Sequence, residues 1–227
     1  DFGAEKLGVI YTNDDAGKDL YAGAQAKAEE LGVELVAEQV TAGATDVSSA
    51  VTSIKNADVD FILGAAIQAT IPTIVKELAA QNVNVDVITT YVNVSPVIAA
   101  SMVNEIAGKF DVYGLGWVSF EGERAQALEL YAEQTPEYAD NVYTMTGWIA
   151  GHFFVEGLKR VDGTLTWEAF MDAMEEAPIQ NPFGGQISYE NGLRAGTQEM
   201  NLSKVSHENL EGEWLTVDGL RSMEELL

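Results

Sequence analysis

From Lys6 to about Gly116 the chain alternates between short continuous apolar runs and segments with apolar residues every three or four positions. That alternation restricts the fold more than any other feature. Leu7-Gly8-Val9-Ile10-Tyr11 is too short for a helix and apolar throughout, as a strand covered on both faces requires. After the turn Thr12-Asn13-Asp14-Asp15 a helix is expected from near Gly17, because Leu20, Ala24, Ala28 and Leu31 recur at helical spacing. Gly32 stands where a helix-terminating glycine belongs. Val33–Ala37 reads as a second strand, and Thr45-Asp46 as the cap of a helix carrying Val47, Val51 and Ile54. Phe61–Gly64, Val85–Thr89 and Val112–Leu115 read as three further strands, separated by helices at Ile71–Leu78 and Pro96–Ile106. Five buried strands joined by single helices predict an α/β fold, a doubly wound parallel sheet with helices on both faces.

The second half has another texture. Residues 122–134, 142–161 and 167–176 read as three successive helices with hardly a strand between them. Val142–Val161 carries Met145, Trp148, Ile149, Phe153, Phe154, Val155 and Leu158, apolar nearly all round, so it is expected to be buried on most sides. Phe183-Gly184-Gly185 breaks the chain, and short strands are expected near Gln186–Tyr189 and Met200–Val205. No sheet in this half is large enough to cover the helices, which are therefore expected to lack part of their packing partner.

Composition narrows the function. Of 227 residues, 36 are acidic and 12 basic, a net charge of −24. The excess is spread along the chain, with 16 acidic and 6 basic side chains in residues 1–118 and 20 and 6 in the remainder. Such a field repels phosphate backbones and anionic lipid heads, which argues against nucleic-acid partners. With no cysteine, thiolate nucleophiles and cysteine-type zinc sites are excluded. The two histidines, His152 and His207, form no metal pattern; the first is expected packed in a helix and the second exposed in a polar loop.

In open α/β sheets ligands bind beyond the carboxyl ends of the strands. The residues there are Asn13-Asp14-Asp15-Ala16, Ala65-Ala66-Ile67-Gln68, Thr89-Thr90-Tyr91-Val92-Asn93 and Trp117-Val118. A phosphorylated receiver domain would need an Asp after the third strand and a Lys after the fifth, where Gly64 and Gly116 stand. No glycine-rich phosphate loop and no nucleophile elbow is present. Asp14 and Asp15 read first as turn and helix-start residues favoured by the helix dipole. No enzyme activity, cofactor or metal is expected.

Several stretches resemble a known family. Leu7–Tyr11 followed by Asn13-Asp14-Asp15-x-Gly17-Lys18-Asp19 is similar to the opening of the second lobe of type I periplasmic solute-binding proteins, in their branched-chain amino-acid group. Ala42-Gly43-Ala44-Thr45-Asp46-Val47, Val59–Leu63, Gly147-Trp148-Ile149-Ala150 with Glu156-Gly157-Leu158, and Pro182–Tyr189 continue the likeness in order across nearly the whole chain. The resemblance implies the periplasmic-binding-protein type I fold. Residues 1–118 would be the second lobe, 119–182 the helical part of the first lobe without its sheet, and 183–227 a return segment to the second lobe. It implies a fragment lacking the start of the first lobe, with the missing segment or a neighbouring chain packed on residues 119–182.

The implied function is the solute-binding component of an ABC importer, partnered by permease and ATPase subunits, outside the cytoplasm in the periplasm or extracellular space, lipid-anchored in some forms. A ligand-sensing domain of the same fold is the alternative. Residues carried over from the resemblance as ligand contacts are Asp15, Ala16, Ile67, Gln68, Tyr91 and Trp148. Ala16 replaces an aromatic common in the family, and Tyr91 stands where amino-acid binders commonly place a carboxylate. With two aromatic faces and no anionic anchor at the family's position, for which Asp14, Asp15 or groups in the absent part are the substitutes, the expected solute is an amino acid or, better matched, an aromatic or amide-type compound.

Overall fold

The computed structural model describes residues 2–118, 124–138, 141–222 and Glu225. Two compact units divide the chain: residues 1–115 with 203–216, and residues 116–202 with 217–227.

The first unit contains β1 (Lys6–Thr12), α1 (Asp15–Leu31), β2 (Glu34–Val40), α2 (Ser48–Ala57), β3 (Phe61–Ala65), α3 (Ile71–Ala80), β4 (Val87–Thr89), α4 (Pro96–Ile106) and β5 (Val112–Gly116), which ends at the boundary. These five strands pair in parallel. The full sheet has seven strands in the order β2-β1-β3-β4-β5-β8-β9, where β8 is Glu199–Val205 and β9 is Trp214–Ser222. The order reverses between β1 and β3, the topological switch point of a doubly wound sheet. The expected α/β class is therefore the observed one, and β9 is the strand that apolar patterning does not announce. Trp214-Leu215-Thr216-Val217-Asp218 alternates weakly, and Leu215 and Val217 remain exposed.

The core of this unit is aliphatic. Ile10, Val51, Ile54, Ile62, Ile71, Ile74, Val75, Leu78, Val87, Met102, Val103, Ile106 and Val112 are fully buried in one cluster. Helix boundaries follow local chemistry. Ser95 caps α4 by accepting the Ile98 N–H, and Pro96 occupies the first turn, where its missing donor costs nothing. Gly32 ends α1 in the left-handed conformation, its N–H returning to Ala28 and Glu29. At α2 the expected cap moves by one residue. Val47 occupies the cap position, and Asp46 accepts the Ser48 N–H at 3.0 Å.

The second unit contains α5 (Arg124–Gln134), α6 (Val142–Arg160), α7 (Trp167–Glu176) and the antiparallel hairpin of β6 (Ile179–Gln180) and β7 (Gln186–Ile187). Residues 122–123 of the first expected helix lie outside the described residues, as do 119–121 and 139–140 of the expected 119–182 segment. Its core gathers Val118, Tyr131, Met145, Ile149, Phe153, Ile179 and Phe183. Gly157 lets α6 approach α7 closely, since a Cβ there would lie 2.4 Å from the Met174 sulfur. The expectation that α6 is buried on most sides is corrected. Met145, Ile149 and Phe153 are buried along one stripe, while Phe154 and Val155 are 55% and 47% exposed, Phe154 meeting the Phe170 ring of α7 with centroids 5.4 Å apart. Among the described residues no helix is long and apolar enough to cross a membrane.

Candidate functional site

In the first unit the strand ends that flank the switch point present three turns. The β1–α1 turn is held from inside by Asp14, whose Oδ1 accepts the Gly17 N–H at 2.9 Å and the Thr12 hydroxyl at 2.7 Å. The Gly17 N–H first and the Thr12 hydroxyl second hold the Asp14 carboxyl below its usual range, with a smaller contribution from Lys18. Asp14 is thus committed to the turn, as its reading as a helix-start residue expects. Gly17 packs directly on the strand end: a Cβ would lie 2.3 Å from the Thr12 carbonyl oxygen. Asp15 and Ala16 occupy the first turn of α1, and both are exposed.

The β2 end is fastened to the same region. Asn13 donates its N–H to the Val40 carbonyl at 2.9 Å and accepts the Ala42 N–H through Oδ1 at 3.1 Å. The Gly43 N–H in turn reaches the hydroxyl of Thr70, the residue preceding α3, at 2.9 Å.

The β3–α3 and β4–α4 loops are joined to each other. Gln68 donates through Nε2 to the Val92 carbonyl at 2.9 Å. Asn93, with no exposed surface, donates through Nδ2 to the Ala66 carbonyl at 2.9 Å and to the Thr89 hydroxyl at 2.7 Å. The Thr89 hydroxyl in turn donates a hydrogen bond to the Gly64 carbonyl at 3.1 Å. On these fastened loops Ile67 is 39% and Tyr91 44% exposed, apolar groups held at the surface beside polar backbone. Neither loop, 66–70 or 90–95, contains an acidic residue.

The expected contact residues therefore fall into three places. Ile67, Gln68 and Tyr91 share the two fastened loops, Asp15 and Ala16 lie on the β1–α1 turn, and Trp148 belongs to the second unit. There Trp148 is half-buried on α6 and meets Tyr131 edge to face, centroids 5.7 Å apart. Tyr131 is enclosed, and its hydroxyl donates to the Tyr138 carbonyl at 2.9 Å. Part of the Trp148 ring thus serves core packing.

Thr12, Thr89 and Asn93 are the residues that apolar patterning passes over. All three are polar and buried, and the clue for them was their position, at or just past the end of an apolar run. The histidines also differ from expectation. His152 is half-buried, with Nε2 3.0 Å from the Gln180 carbonyl, because its side of α6 meets the β6 hairpin and not the core. His207 is half-buried as well: its Nδ1 accepts the Gly108 N–H at 3.4 Å, and its Nε2 lies 3.4 Å from Asp111. Among the described residues no three His, Asp or Glu side chains are grouped as a metal ion requires.

A sequence family described as "Periplasmic binding protein" matches residues 1–209. No curated protein matches the chain. Among solved structures, a branched-chain amino acid ABC transporter protein from Thermus thermophilus with bound valine superposes with a TM-score of 0.80 at 14% identity, covering 96% of this chain and 60% of that one. A solute-binding protein from Rhodopseudomonas palustris in complex with p-hydroxybenzoic acid gives 0.79 at 16% identity, over 97% and 61%. A leucine-, isoleucine-, valine-, threonine- and alanine-binding protein from Brucella ovis in a closed conformation gives 0.76 at 21% identity, over 98% and 59%. At these identities the likeness is one of fold. The chain spans about three-fifths of the length of each of these structures.

Proposed function

Since the chain belongs to the periplasmic binding protein family, we propose that it is the solute-binding component of an ABC importer, handing a small molecule to permease and ATPase subunits outside the cytoplasm. The family is one of binders and not an enzyme class, and we extend that to an absence of turnover by this chain. Periplasmic or extracellular residence follows from the family, and a lipid anchor is one way such a protein stays at the cell surface. We also propose the lobe assignment of residues 1–118, 119–182 and 183–227 given by the family resemblance.

The observation that carries the solute class is the pair of fastened loops bearing Ile67 and Tyr91 at the surface with no acid on either. Asp14, the acid nearest the strand ends, already accepts two hydrogen bonds within its own turn. The exposed Asp15, on the neighbouring turn and on neither fastened loop, is the carboxylate left to a zwitterion. An ammonium group held on the two loops away from it would lose several kcal/mol on burial, whereas an aromatic ring against Tyr91 gains about 0.5–1.5 kcal/mol beyond area burial. The solute is therefore a partly planar or apolar compound, an aromatic acid or amide in preference to an aliphatic amino acid. Gln68 and the backbone of the two loops supply its polar contacts, with Asp15 and Ala16 at the neighbouring turn. Trp148 stays a candidate contact with its own test. That proteins of this fold have been solved with p-hydroxybenzoic acid and with valine makes both classes fair competitors.

Calorimetry against 4-hydroxybenzoate, benzamide, L-valine and L-leucine decides between them. The expected result is binding of a planar member, weakened at least tenfold by Tyr91→Ala and separately reduced by Trp148→Ala. Tight binding of valine or leucine that neither substitution changes would overturn the reading.

A further inference from the structure

The residue that shapes this face is not itself on the surface. Asn93 closes the short 3₁₀ turn Tyr91–Asn93 and has no exposed surface, so no solute reaches it. Its side-chain nitrogen makes two short donations, to the Ala66 carbonyl at 2.9 Å and to the Thr89 hydroxyl at 2.7 Å, with the Thr90 hydroxyl a longer contact at 3.4 Å. Ala66 immediately precedes Ile67, and Asn93 is two residues beyond Tyr91. One buried amide thus sets the spacing between the backbones that carry the two exposed apolar groups. Gln68 adds a second tie at 2.9 Å, but it is only half-buried and so competes with water.

The orientation of the amide follows from its partners. The Ala66 carbonyl can only accept, so the nitrogen must face it, and the Thr89 hydroxyl already donates to the Gly64 carbonyl and is left to accept. That leaves Asn93 Oδ1 buried with no donor. A buried acceptor without a partner is a cost that an apolar side chain of similar size would not carry. What the position gains is the double donation, and neither Asp (acceptor only when ionised) nor Leu can supply it.

We infer that Asn93 is the positioning residue of the solute face, holding the Ile67 and Tyr91 loops in register through the two hydrogen bonds of its amide. The importance of that register for solute binding rests on the proposed function; the fastening of the loops does not.

Hydrogen exchange of the backbone amides at 67–69 and 91–92, followed by NMR on the whole chain, tests the fastening without any solute. In Asn93→Ala the protection of both loops falls at least tenfold, while amides in β1 and β3 lose far less. Asn93→Ser, which keeps one donor and is the safer variant to fold, falls between. Asn93→Asp is as loose as Asn93→Ala at pH 8 and regains part of the wild-type protection by pH 5, because burial at this position raises the carboxyl above its ordinary range and the protonated form donates one hydrogen bond; packing alone would give no such recovery. Unchanged loop protection in Asn93→Ala and Asn93→Ser, or an Asn93→Asp variant equally loose at both pH values, overturns the inference. Benzamide, whose charge does not change over this range, supplies a second readout. Failure of the wild-type chain to bind it or any other solute offered would count against the proposed function and leave the exchange result to judge Asn93.

Discussion

The Asp14 carboxylate accepts the backbone N–H of Gly17 at 2.9 Å while Thr12, at the end of β1, gives the same oxygen its hydroxyl proton at 2.7 Å. One oxygen thereby joins the last residue of a central strand to the first turn of the helix that follows. The junction is tight enough that residue 17 has no room for a side chain.

Replacing Asp14 with Ala is expected to cost about 1 kcal/mol, the usual worth of a helix cap, read as a lower urea midpoint at pH 7. The Asp14 carboxyl titrates below its ordinary value in the folded chain. Its contribution is therefore complete above the unfolded value near 3.9 and disappears as pH falls through the lower folded value. The gap between wild type and Asp14→Ala should close in that acid window. A gap that persists at pH 2 would mean the carboxylate is not its source.

Gly17→Ala is the harsher test of the same junction. A methyl group 2.3 Å from the Thr12 carbonyl forces the helix start away from the strand. Overpacking of that kind costs about 1–3 kcal/mol. A neutral effect on the urea midpoint would show that the turn relaxes freely.

Adjacent residues of α6 should respond in opposite ways. Phe153 is 7% exposed and belongs to the second unit's core, whereas Phe154 is 55% exposed. Phe153→Ala is expected to destabilise by about 3–5 kcal/mol. Phe154→Ala should cost no more than about 0.5–1.5 kcal/mol, the worth of its ring pair with Phe170, whose centroid lies 5.4 Å away. A large loss from Phe154→Ala would mean that another surface covers it in solution.

Tyr113 titrates late. Burial first, then the negative charges of Asp111 and Asp86, push its hydroxyl up to about 12. A folded value raised above the unfolded one near 10 gives stability that is present below pH 10 and lost as pH climbs towards 12. Spectrophotometric titration should show one phenolate step near that value that Tyr113→Phe removes. Its persistence in the variant would assign it to another of the eight tyrosines.

Salt should stabilise the chain. With a net charge of −24 spread over its length, self-repulsion acts throughout. Raising sodium chloride from about 0.05 M to about 1 M shortens the screening length from above ~10 Å to ~3 Å, and the urea midpoint is expected to rise. A falling midpoint would show that the ion pairs, such as Lys204 with Asp111 at 2.9 Å, outweigh the repulsion.

Apolar runs made the inner strands β1, β3, β4 and β5 and their helices legible, because burial on both faces leaves few polar residues to blur the pattern, as Val9, Ile10 and Ile62 show, while the edge strand β2 was read from Val33 to Ala37 despite Glu34. The same logic hides β9, which pairs at the sheet edge with half its side chains in water. It also misjudged α6, since the large apolar count around that helix says what it could bury and not what is present to cover it. At the candidate site, the positions of Ile67 and Tyr91 past strand ends were readable. The role of Asn93 was not, because the partners of its amide are a carbonyl and a hydroxyl 27 and 4 residues away, a pairing that only the folded sheet creates.

The sheet order carries a consequence for how the chain is made. The strand beside β5 is β8, and about 80 residues separate them in sequence. At ordinary rates of translation the ribosome needs on the order of ten seconds to supply that interval. Throughout it the outer edge of β5 keeps its N–H and C=O groups unpaired, open to any extended segment that reaches it first. The nascent chain is thus most exposed to mispairing after β1 to β5 have already found their places.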